Sequence, residues 1–254
     1  MARYAIISDI HGNLHALEAV LHEIESMRIR EIICLGDIVG YGPNPRECLD
    51  LVMSTCRQTI RGNHDEAAVN PAVASSFNGS AKTAILWTRS ILLKRHLDLL
   101  RLLPHIAYIE ESALCVHDCP VPGPTDYVHD PRMAAMAFRG FETQVCLLGH
   151  THVPMAFEAP SPHPEDMVTA GDICTFSLRD GEGVRFAPRK RYICNPGSVG
   201  QPRDADPRAS FGVLDLRRRT FSVHRVAYDV NAAQFATSAA GLPIILADRL
   251  AVGA

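Results

Sequence analysis

The stretch YAIISDIH at residues 4–11 joins a short apolar run to a loop that carries an aspartate and a histidine. Similar apolar runs, each followed by polar residues, stand at 32–37, 59–65, 114–117 and 145–152. Short apolar runs of this kind predict buried strands. Side chains at the carboxyl ends of such strands converge on one edge of a sheet, where open α/β folds place their sites. The sequence therefore predicts a site at a sheet edge.

Five short motifs supply the side chains of this site: DIH at 9–11, GD at 36–37, GNHD at 62–65, VH at 116–117 and GHTH at 149–152. Together they offer carboxylates, an amide oxygen and imidazoles. One carboxylate can span two cations, neutral imidazoles suit borderline metals, and an amide oxygen adds a ligand without adding charge. This inventory fits two divalent metal ions.

The order of the five motifs resembles that of the calcineurin-like metallophosphoesterases, whose pattern is DxH, GD, GNH[DE], a lone H and GHxH. A closer similarity to the bacterial and archaeal phosphodiesterase branch rests on GDIVGYGPNP at 36–45, GHTHVP at 149–154 and NPGSVGQPRD at 195–204. The resemblance covers nearly the whole chain. It implies an α/β (α+β) fold, a four-layer αββα sandwich of two mixed β-sheets with flanking helices.

The resemblance also implies how the ligands divide between the two metals. One metal would be held by Asp9, His11 and His152, the other by Asn63, His117 and His150, and Asp37 would bridge them. A metal-bridging hydroxide would attack phosphorus while His64 acts as the general acid that protonates the leaving group. The ordinary pKa of histidine, about 6.5, suits that role near neutral pH.

Four further residues have expected roles near the metals. Tyr41 and Asn44, after the second motif, are candidates for substrate binding. Asp65 and Asp118, each next to a motif histidine, are candidates for orienting ligands from outside the coordination sphere, although Asp118 could instead lower the positive charge of the site.

One departure from the family bears on the substrate. Phosphoprotein phosphatases have Asp-Arg-Gly where this chain has GYG at 40–42. The aspartate that orients their histidine and the arginine that clamps a phosphate dianion are therefore missing at these positions. This disfavours a phosphoserine phosphatase and favours phosphodiesters.

The sequence NPGS at 195–198 leaves two interpretations open. Its glycine and serine could cradle a phosphate. Alternatively, the segment could be a tight turn that closes a strand packed under the site.

Composition limits the architecture and the partners. At 254 residues with 47% hydrophobic content, the chain suits a single domain over 1–254, with a small helical cap inserted at 66–104, directly after a loop at 62–65. A net charge of −3 without large basic clusters argues against a nucleic-acid polymer as partner. No apolar stretch approaches the roughly 18 residues that span a bilayer, so no membrane partner is expected. Eight cysteines without a CxxC pair suit a reducing compartment and a cytoplasmic location.

Periodicity predicts the elements along the chain. Helices are expected at 13–27, 45–54, 81–94, 97–103 and 133–138, and a helical stretch at about 230–250. Strands are expected at 4–8, 31–35, 58–60, 106–110, 113–117, 145–148, 153–158, 173–178, 191–194, 211–215 and 221–226.

Together these expectations predict a metal-dependent phosphoesterase that binds two divalent ions. Manganese is the expected metal, and iron, zinc, nickel, cobalt or magnesium are the alternatives. The expected substrate is a small phosphodiester or nucleotide. A phosphomonoesterase or protein-phosphatase-like activity, a dinucleoside polyphosphate hydrolase, and a non-catalytic scaffold of the same fold are the alternatives. The native metals, the physiological substrate and the oligomeric state do not follow from the sequence.

Overall fold

The computed structural model describes residues 3–121, 127–161 and 168–254. Its strands are β1 Arg3–Ile7, β2 Glu31–Cys34, β3 Gln58–Thr59, β4 Ile106–Ile109, β5 Ala113–Val116, β6 Val145–Leu147, β7 Met155–Pro160, β8 Cys174–Ser177, β9 Gly183–Arg185, β10 Lys190–Asn195, β11 Ala209–Asp215 and β12 Thr220–Val226. Its α-helices are α1 Leu14–Ser26, α2 Pro45–Thr55, α3 Asn63–Val69, α4 Gly79–Ile91, α5 Lys94–Leu102, α6 Pro131–Ala137, α7 Val230–Ala239 and α8 Ile244–Asp248.

The strands form two six-stranded sheets, with orders β3-β2-β1-β11-β12-β9 and β4-β5-β6-β10-β7-β8. In the first sheet β1, β2 and β3 run parallel, whereas β11, β12 and β9 pair antiparallel. In the second sheet β5, β6 and β10 run parallel, and β4, β7 and β8 pair antiparallel. Both sheets are therefore mixed, as predicted.

The two sheets pack face to face, because alternate side chains of each strand point to opposite faces. Ile6 of β1 and Ile33 of β2 are fully buried in a cluster with Leu147 of β6 and Tyr192 of β10. Burying an apolar side chain of this size contributes roughly 1.5–3 kcal/mol. This cluster is the centre of the sandwich.

Helices cover the outer faces of both sheets. Ile7, next to Ile6 on β1, packs with Leu17 and Val20 of α1. On the other side, Cys146 of β6 packs with Met133 of α6. The four-layer αββα sandwich predicted from the resemblance is thus confirmed.

Local sequence signals start several of these helices. The Asn13 side chain caps α1 by accepting a hydrogen bond from the Ala16 amide at 3.1 Å, and Asn78 caps α4 through Ala81 at 2.9 Å. Pro45 stands at the first position of α2, where its missing N–H costs no helical bond. These caps fix where the chain turns from a site loop into a helix.

Residues 66–104 contain most of α3 together with α4 and α5. Ile85 and Leu100 of this segment are buried in the cluster that also holds α1 and α2, and the His96 ring lies 3.3 Å from the Asp50 carboxylate on α2. The segment is thus helical and packs on the first sheet's helical layer. Its assignment as a cap within a single domain stays a prediction.

The eight cysteines are free. Six of them are buried: Cys34, Cys48, Cys115, Cys119, Cys146 and Cys194. Across the described ranges, no helix combines the length and the apolar character needed to cross a membrane.

Candidate metal centre

Loops from both sheets meet at one edge of the sandwich, as predicted. Asp9 and His11 follow β1, Asp37 follows β2, and His117 follows β5 directly. His150 and His152 lie in the loop after β6. The loops are tied by backbone hydrogen bonds, for example from the Asp9 amide to the Gly36 carbonyl at 3.0 Å.

Asn63 reaches the site from the first turn of α3, where a loop was expected. Asp65 explains the helix start, because its carboxylate accepts a hydrogen bond from the Gly62 amide at 3.0 Å. Gly62 allows the close approach that this turn needs, since a Cβ there would stand 2.1 Å from Asp37 Oδ1. The prediction of a loop at 63–65 is therefore wrong, although the residues still reach the site.

The candidate ligands form two adjacent groups. The first contains Asp9, His11 and His152, and the second contains Asp37, His117 and His150, with the ligand atoms of each group within 4.8 Å of one another. Asn63 Oδ1 lies 3.2 Å from His117 Nε2, which adds it to the second group. Asp37 Oδ2 lies 3.6 Å from His11 Nε2 and 3.2 Å from His117 Nε2, so it stands between the two groups.

The imidazoles are held with Nε2 facing the centre. The Nδ1 atoms of His11, His117 and His152 lie 3.2, 2.8 and 2.6 Å from the carbonyl oxygens of Val39, Leu35 and Gln201. Nδ1–H must donate in these bonds, and the neutral tautomer then leaves Nε2 as a bare lone pair.

This orientation fits a bound cation. The Nε2 atoms of His11 and His152 are 3.2 Å apart, and burial lowers the pKa of both rings well below the usual value. Two neutral rings would thus point lone pairs at each other, and a metal ion between them removes that repulsion. The nitrogen and oxygen donors also suit divalent transition metals.

His117 differs from the other histidines. Burial alone would lower its pKa, but the Asp37 carboxylate at 3.2 Å, together with Asp9 and Asp118, outweighs burial and raises the pKa to about 10. A metal bound by His117 Nε2 would displace this proton, because only the deprotonated nitrogen is a ligand.

The carboxylates are oriented by backbone groups. The His150 amide lies 3.2 Å from both oxygens of Asp9, and the His64 amide donates to Asp37 Oδ1 at 2.8 Å. Each carboxylate is therefore fixed by a neighbouring loop.

Strained backbone is concentrated at the site. Asp9, His11, Asp37, His150 and His152 all have positive φ, between 50° and 66°. Residues other than glycine seldom adopt this region, and strain of this kind typically clusters at functional sites.

His64 lies beside the ligands without belonging to either terminal group. A ring nitrogen of His64 does form a third close group with ligand atoms of His11 and Asp37, all within 4.8 Å of one another. The ring centre of His64 is 4.8 Å from that of His11, 4.5 Å from that of Tyr41 and 4.6 Å from that of Phe77. Its Nδ1 is buried and has no hydrogen-bond partner among the described residues. Burial lowers its pKa to about 4, below the ordinary value near 6.5 from which its role as general acid was argued.

The four further residues with expected roles, Tyr41, Asn44, Asp65 and Asp118, are all near the ligands. Tyr41 packs edge-on against His11 at 4.7 Å between ring centres, and Asn44 lines the same cleft as both. Asp65 acts through the backbone, accepting from the amides of Ile38 and Val39 at 3.0 and 3.1 Å, and thereby fixes the loop of Asp37. Asp118 is half-buried, and its negative charge adds to the raised pKa of His117.

The NPGS segment is a buried turn that supports the ligand loops. Asn195 Nδ2 donates to the Gly149 carbonyl at 2.6 Å, and Ser198 Oγ donates to the Asp9 carbonyl at 2.7 Å. These bonds favour the turn over the phosphate cradle, because the serine is already engaged with the backbone.

Arg203 is a residue near the site that sequence reasoning missed. It follows the NPGS turn, and its backbone amide donates to the His152 carbonyl at 3.3 Å. Its guanidinium lies 5.9 Å from the centre of the Tyr41 ring. The signal was its place in NPGSVGQPRD, a segment that the resemblance had already singled out.

Comparisons with known proteins show which family and fold this chain resembles. Residues 3–219 match the calcineurin-like phosphoesterase superfamily domain. An uncharacterised protein of Methanocaldococcus jannaschii is 34% identical over 98% of this chain and 97% of its own. A metallophosphoesterase crystal structure from Sphaerobacter thermophilus is 38% identical, with 100% and 99% of the two chains covered and a TM-score of 0.84. A hypothetical protein from Pyrococcus horikoshii shares the fold at 21% identity, coverage of 100% and 99%, and a TM-score of 0.75.

Proposed function

The chain belongs to the calcineurin-like phosphoesterase superfamily, and from this premise we propose that it hydrolyses small phosphodiesters at a centre of two divalent metal ions. The observation that carries the proposal is the position of Asp37 Oδ2, which lies 3.6 Å from His11 and 3.2 Å from His117. One carboxylate between two sets of ligands is the arrangement that a bridged metal pair requires.

The ligand assignment follows the two groups. Asp9, His11 and His152 would hold one ion, Asn63, His117 and His150 the other, and Asp37 both. The centre offers only two carboxylates, so positive charge remains to attract a phosphoester. Nitrogen and oxygen donors without thiolate favour Mn²⁺, with Fe²⁺, Co²⁺, Ni²⁺, Zn²⁺ or Mg²⁺ as alternatives.

When bound, the two metal ions would supply an activated water and neutralise the negative charge that builds on the phosphoryl oxygens. The protein's own contribution is positioning. The carbonyls of Val39, Leu35 and Gln201 keep three imidazoles aimed at the centre, and the backbone amides of His64 and His150 hold the two carboxylates.

We assign proton donation to the leaving group to His64. The ring is buried, so water competes poorly for its proton, and it lies in the cleft beside Asn63 and His150. Its pKa of about 4 means that the free protein holds it neutral at pH 7. An anionic phosphoester bound beside it would raise that pKa, because negative charge favours the imidazolium.

A cleft beside His64 can receive an organic group of the substrate. It is lined by Tyr41, His64, Phe77 and Tyr127 and has a volume of about 360 Å³. Its aromatic rings suit a flat, apolar or nucleobase-like group, while phosphorus stays at the ligands.

The alternatives make different demands on the site. A phosphomonoesterase, a protein phosphatase-like enzyme or a dinucleoside polyphosphate hydrolase needs strong binding of a dianionic or multiply charged phosphate. A scaffold needs no convergent ligands, yet here all seven candidate side chains and His64 meet at one edge. This convergence favours an enzyme.

We also propose a cytoplasmic location, because eight free cysteines suit a reducing compartment. Cell fractionation with an antibody against the chain tests this, and recovery in an oxidising compartment would contradict it.

Metal removal and a substrate pair test the proposed activity. Chelated protein should be inactive, and Mn²⁺ should restore turnover while Ca²⁺ should not. The kcat/KM for bis-p-nitrophenyl phosphate should then exceed that for p-nitrophenyl phosphate. His152→Gln, prepared in the same way, controls for contaminating phosphatases. Undiminished turnover after exhaustive chelation would refute the metal centre, and a monoester preference would favour a phosphomonoesterase.

A further inference from the structure

Arg203 places a guanidinium beside the ligand cluster from the turn after β10, not from the loop after β2. The loop after β2 carries GYG at 40–42 and no arginine. Arg203 instead follows β10, where its amide is bonded to the His152 carbonyl and its guanidinium stands over the Tyr41 ring. Tyr41 in turn contacts the rings of His11 and His64.

The charge of Arg203 is not neutralised by a nearby carboxylate. Within the part of the chain that the structure describes, no carboxylate oxygen lies within 4.0 Å of its guanidinium. The acids that follow it are engaged elsewhere, since Asp204 pairs with Arg225 and Asp206 pairs with Arg208. Arg203 donates instead to the neutral amide oxygen of Gln201 at 3.0 Å, and its Nε is buried without a partner.

A second guanidinium reinforces the positive potential. Arg249 Nη1 donates to the same Gln201 oxygen at 3.1 Å, so two arginines share one uncharged acceptor. Burial and the neighbouring Arg203 lower the pKa of Arg249.

We propose that Arg203 binds a non-bridging phosphoryl oxygen, a group that diesters and monoesters share, as a substrate-binding contact supplied from the turn after β10. This inference rests on the proposed phosphoesterase function. A guanidinium that is held by a neutral amide oxygen and has no acidic partner is suited to phosphate, because charge-assisted bonds to phosphate are short and strong. The turn that orients His152 through Gln201 thus also presents the anion-binding group.

The contact should matter more for a monoester than for a diester. A dianionic monoester concentrates more negative charge on its terminal oxygens than a monoanionic diester does, so it loses more when the guanidinium is removed. Arg203→Gln should therefore raise the ratio of diester to monoester kcat/KM. A merely structural role would reduce both activities in parallel.

Binding of inorganic phosphate to the Mn²⁺-loaded protein tests the inference without turnover. Wild type, Arg203→Gln, Arg203→Lys and Arg208→Gln are compared by isothermal titration calorimetry, with the metal content of each measured. Arg208 lies on the same segment and pairs with Asp206 and Asp180, so Arg208→Gln is the matched control. We expect Arg203→Gln to weaken phosphate binding by about ten- to a hundredfold, Arg203→Lys by less, and Arg208→Gln not at all.

The outcomes separate this inference from the proposed function. Phosphate affinity that is unchanged in a metal-loaded Arg203→Gln protein overturns the role of Arg203, even when the diester is hydrolysed. If Arg203→Gln loses its metal, the phosphate affinity of Arg203→Lys is the deciding measurement. A phosphate affinity equal to that of wild type in Arg203→Lys overturns the inference. Weakened phosphate binding in a protein that hydrolyses no ester supports Arg203 and rejects the proposed activity. Wild-type protein that binds no phosphate refutes the inference directly.

Discussion

Gly40 packs its α-carbon directly against the ring of His64: a Cβ at residue 40 would stand 2.5 Å from Nδ1 and 3.1 Å from Cγ. The resemblance places aspartate at this position in phosphoprotein phosphatases, where it orients the corresponding histidine. Here the missing side chain accounts for the buried, unpartnered Nδ1 of His64. The ring is thus located by packing against Gly40, Tyr41 and Phe77.

Replacing Gly40 by alanine should misplace His64 while leaving the metals bound. Gly40 has a φ of +91°, so the variant combines a clash with backbone strain. A shift of about 1 Å in a reacting group can cost a hundredfold in rate, and we expect a loss of that order in kcat. Gly79→Ala is the matched control, because a Cβ there meets no atom within 4 Å. Wild-type kcat in Gly40→Ala would show that the position of His64 does not matter.

Loss of His64 itself should slow the chemistry in proportion to the basicity of the leaving group. His64→Gln should keep the metals and lose about 10²–10⁴-fold with an alkoxide leaving group, because general acids contribute that much. The loss should be smaller for p-nitrophenolate, which needs little protonation. Rates are measured on both ester types, with His22→Gln on the exposed face of α1 as control. Equal losses on both esters would indicate a role in positioning instead.

The carboxylate between the two ligand groups should be the most sensitive ligand. Asp37→Asn removes the charge that lies 3.6 Å from His11 and 3.2 Å from His117, whereas His150→Gln removes one neutral ligand. The loss in metal affinity should exceed the roughly ten- to hundredfold typical of disturbing an outer partner of a ligand. Metal content and kcat/KM are compared with those of Asp98→Asn, an exposed aspartate on α5. Near wild-type metal content in Asp37→Asn would contradict the bridging assignment.

Acid should destabilise the metal-free protein partly through His64. Its folded-state pKa of about 4 lies below the unfolded value near 6.5, so the unfolded chain binds the extra proton between these pH values. Stability is therefore lost as the pH falls below about 6.5, and this one residue contributes about 2 kcal/mol between pH 7 and pH 5. Denaturant unfolding of chelated wild type and His64→Gln at both pH values measures the difference. The variant should lose less stability on acidification, and an equal loss would contradict the burial effect.

The convergence of the candidate ligands at one edge could be predicted from the sequence, because it depends on residue types in local motifs after apolar runs. Asp9 and His117 stand directly after buried strands, and sheet geometry then brings them to one edge. Most helices and strands were placed within a few residues for the same reason. Gly241 and Pro243 also indicate the break between α7 and α8, because glycine and proline end helices, although the stretch was predicted as one helical region.

Other features depend on contacts between distant residues. The strand β9 exists because Val184 pairs with Phe221, and its own three residues give no strand signal. The low pKa of His64 comes from burial under Phe77 of a different segment. The backbone of Arg203 lies beside that of His152, and the Gly200 amide donates to the Asp9 carbonyl at 3.0 Å, so the turn after β10 is tied to two ligand loops. Motif spacing contains none of this information.

Five candidate ligands have left-handed backbone conformations, which lower the stability of the fold: Asp9, His11, Asp37, His150 and His152. The side chains needed for activity therefore reduce thermal stability. Each such residue costs on the order of 1–3 kcal/mol, and glycine or asparagine would relieve part of that cost. Random mutagenesis selected only for survival of heating would therefore enrich glycine or asparagine at these five positions. The resulting proteins would melt later and bind no metal, so directed evolution of this scaffold must select for turnover and heat resistance together.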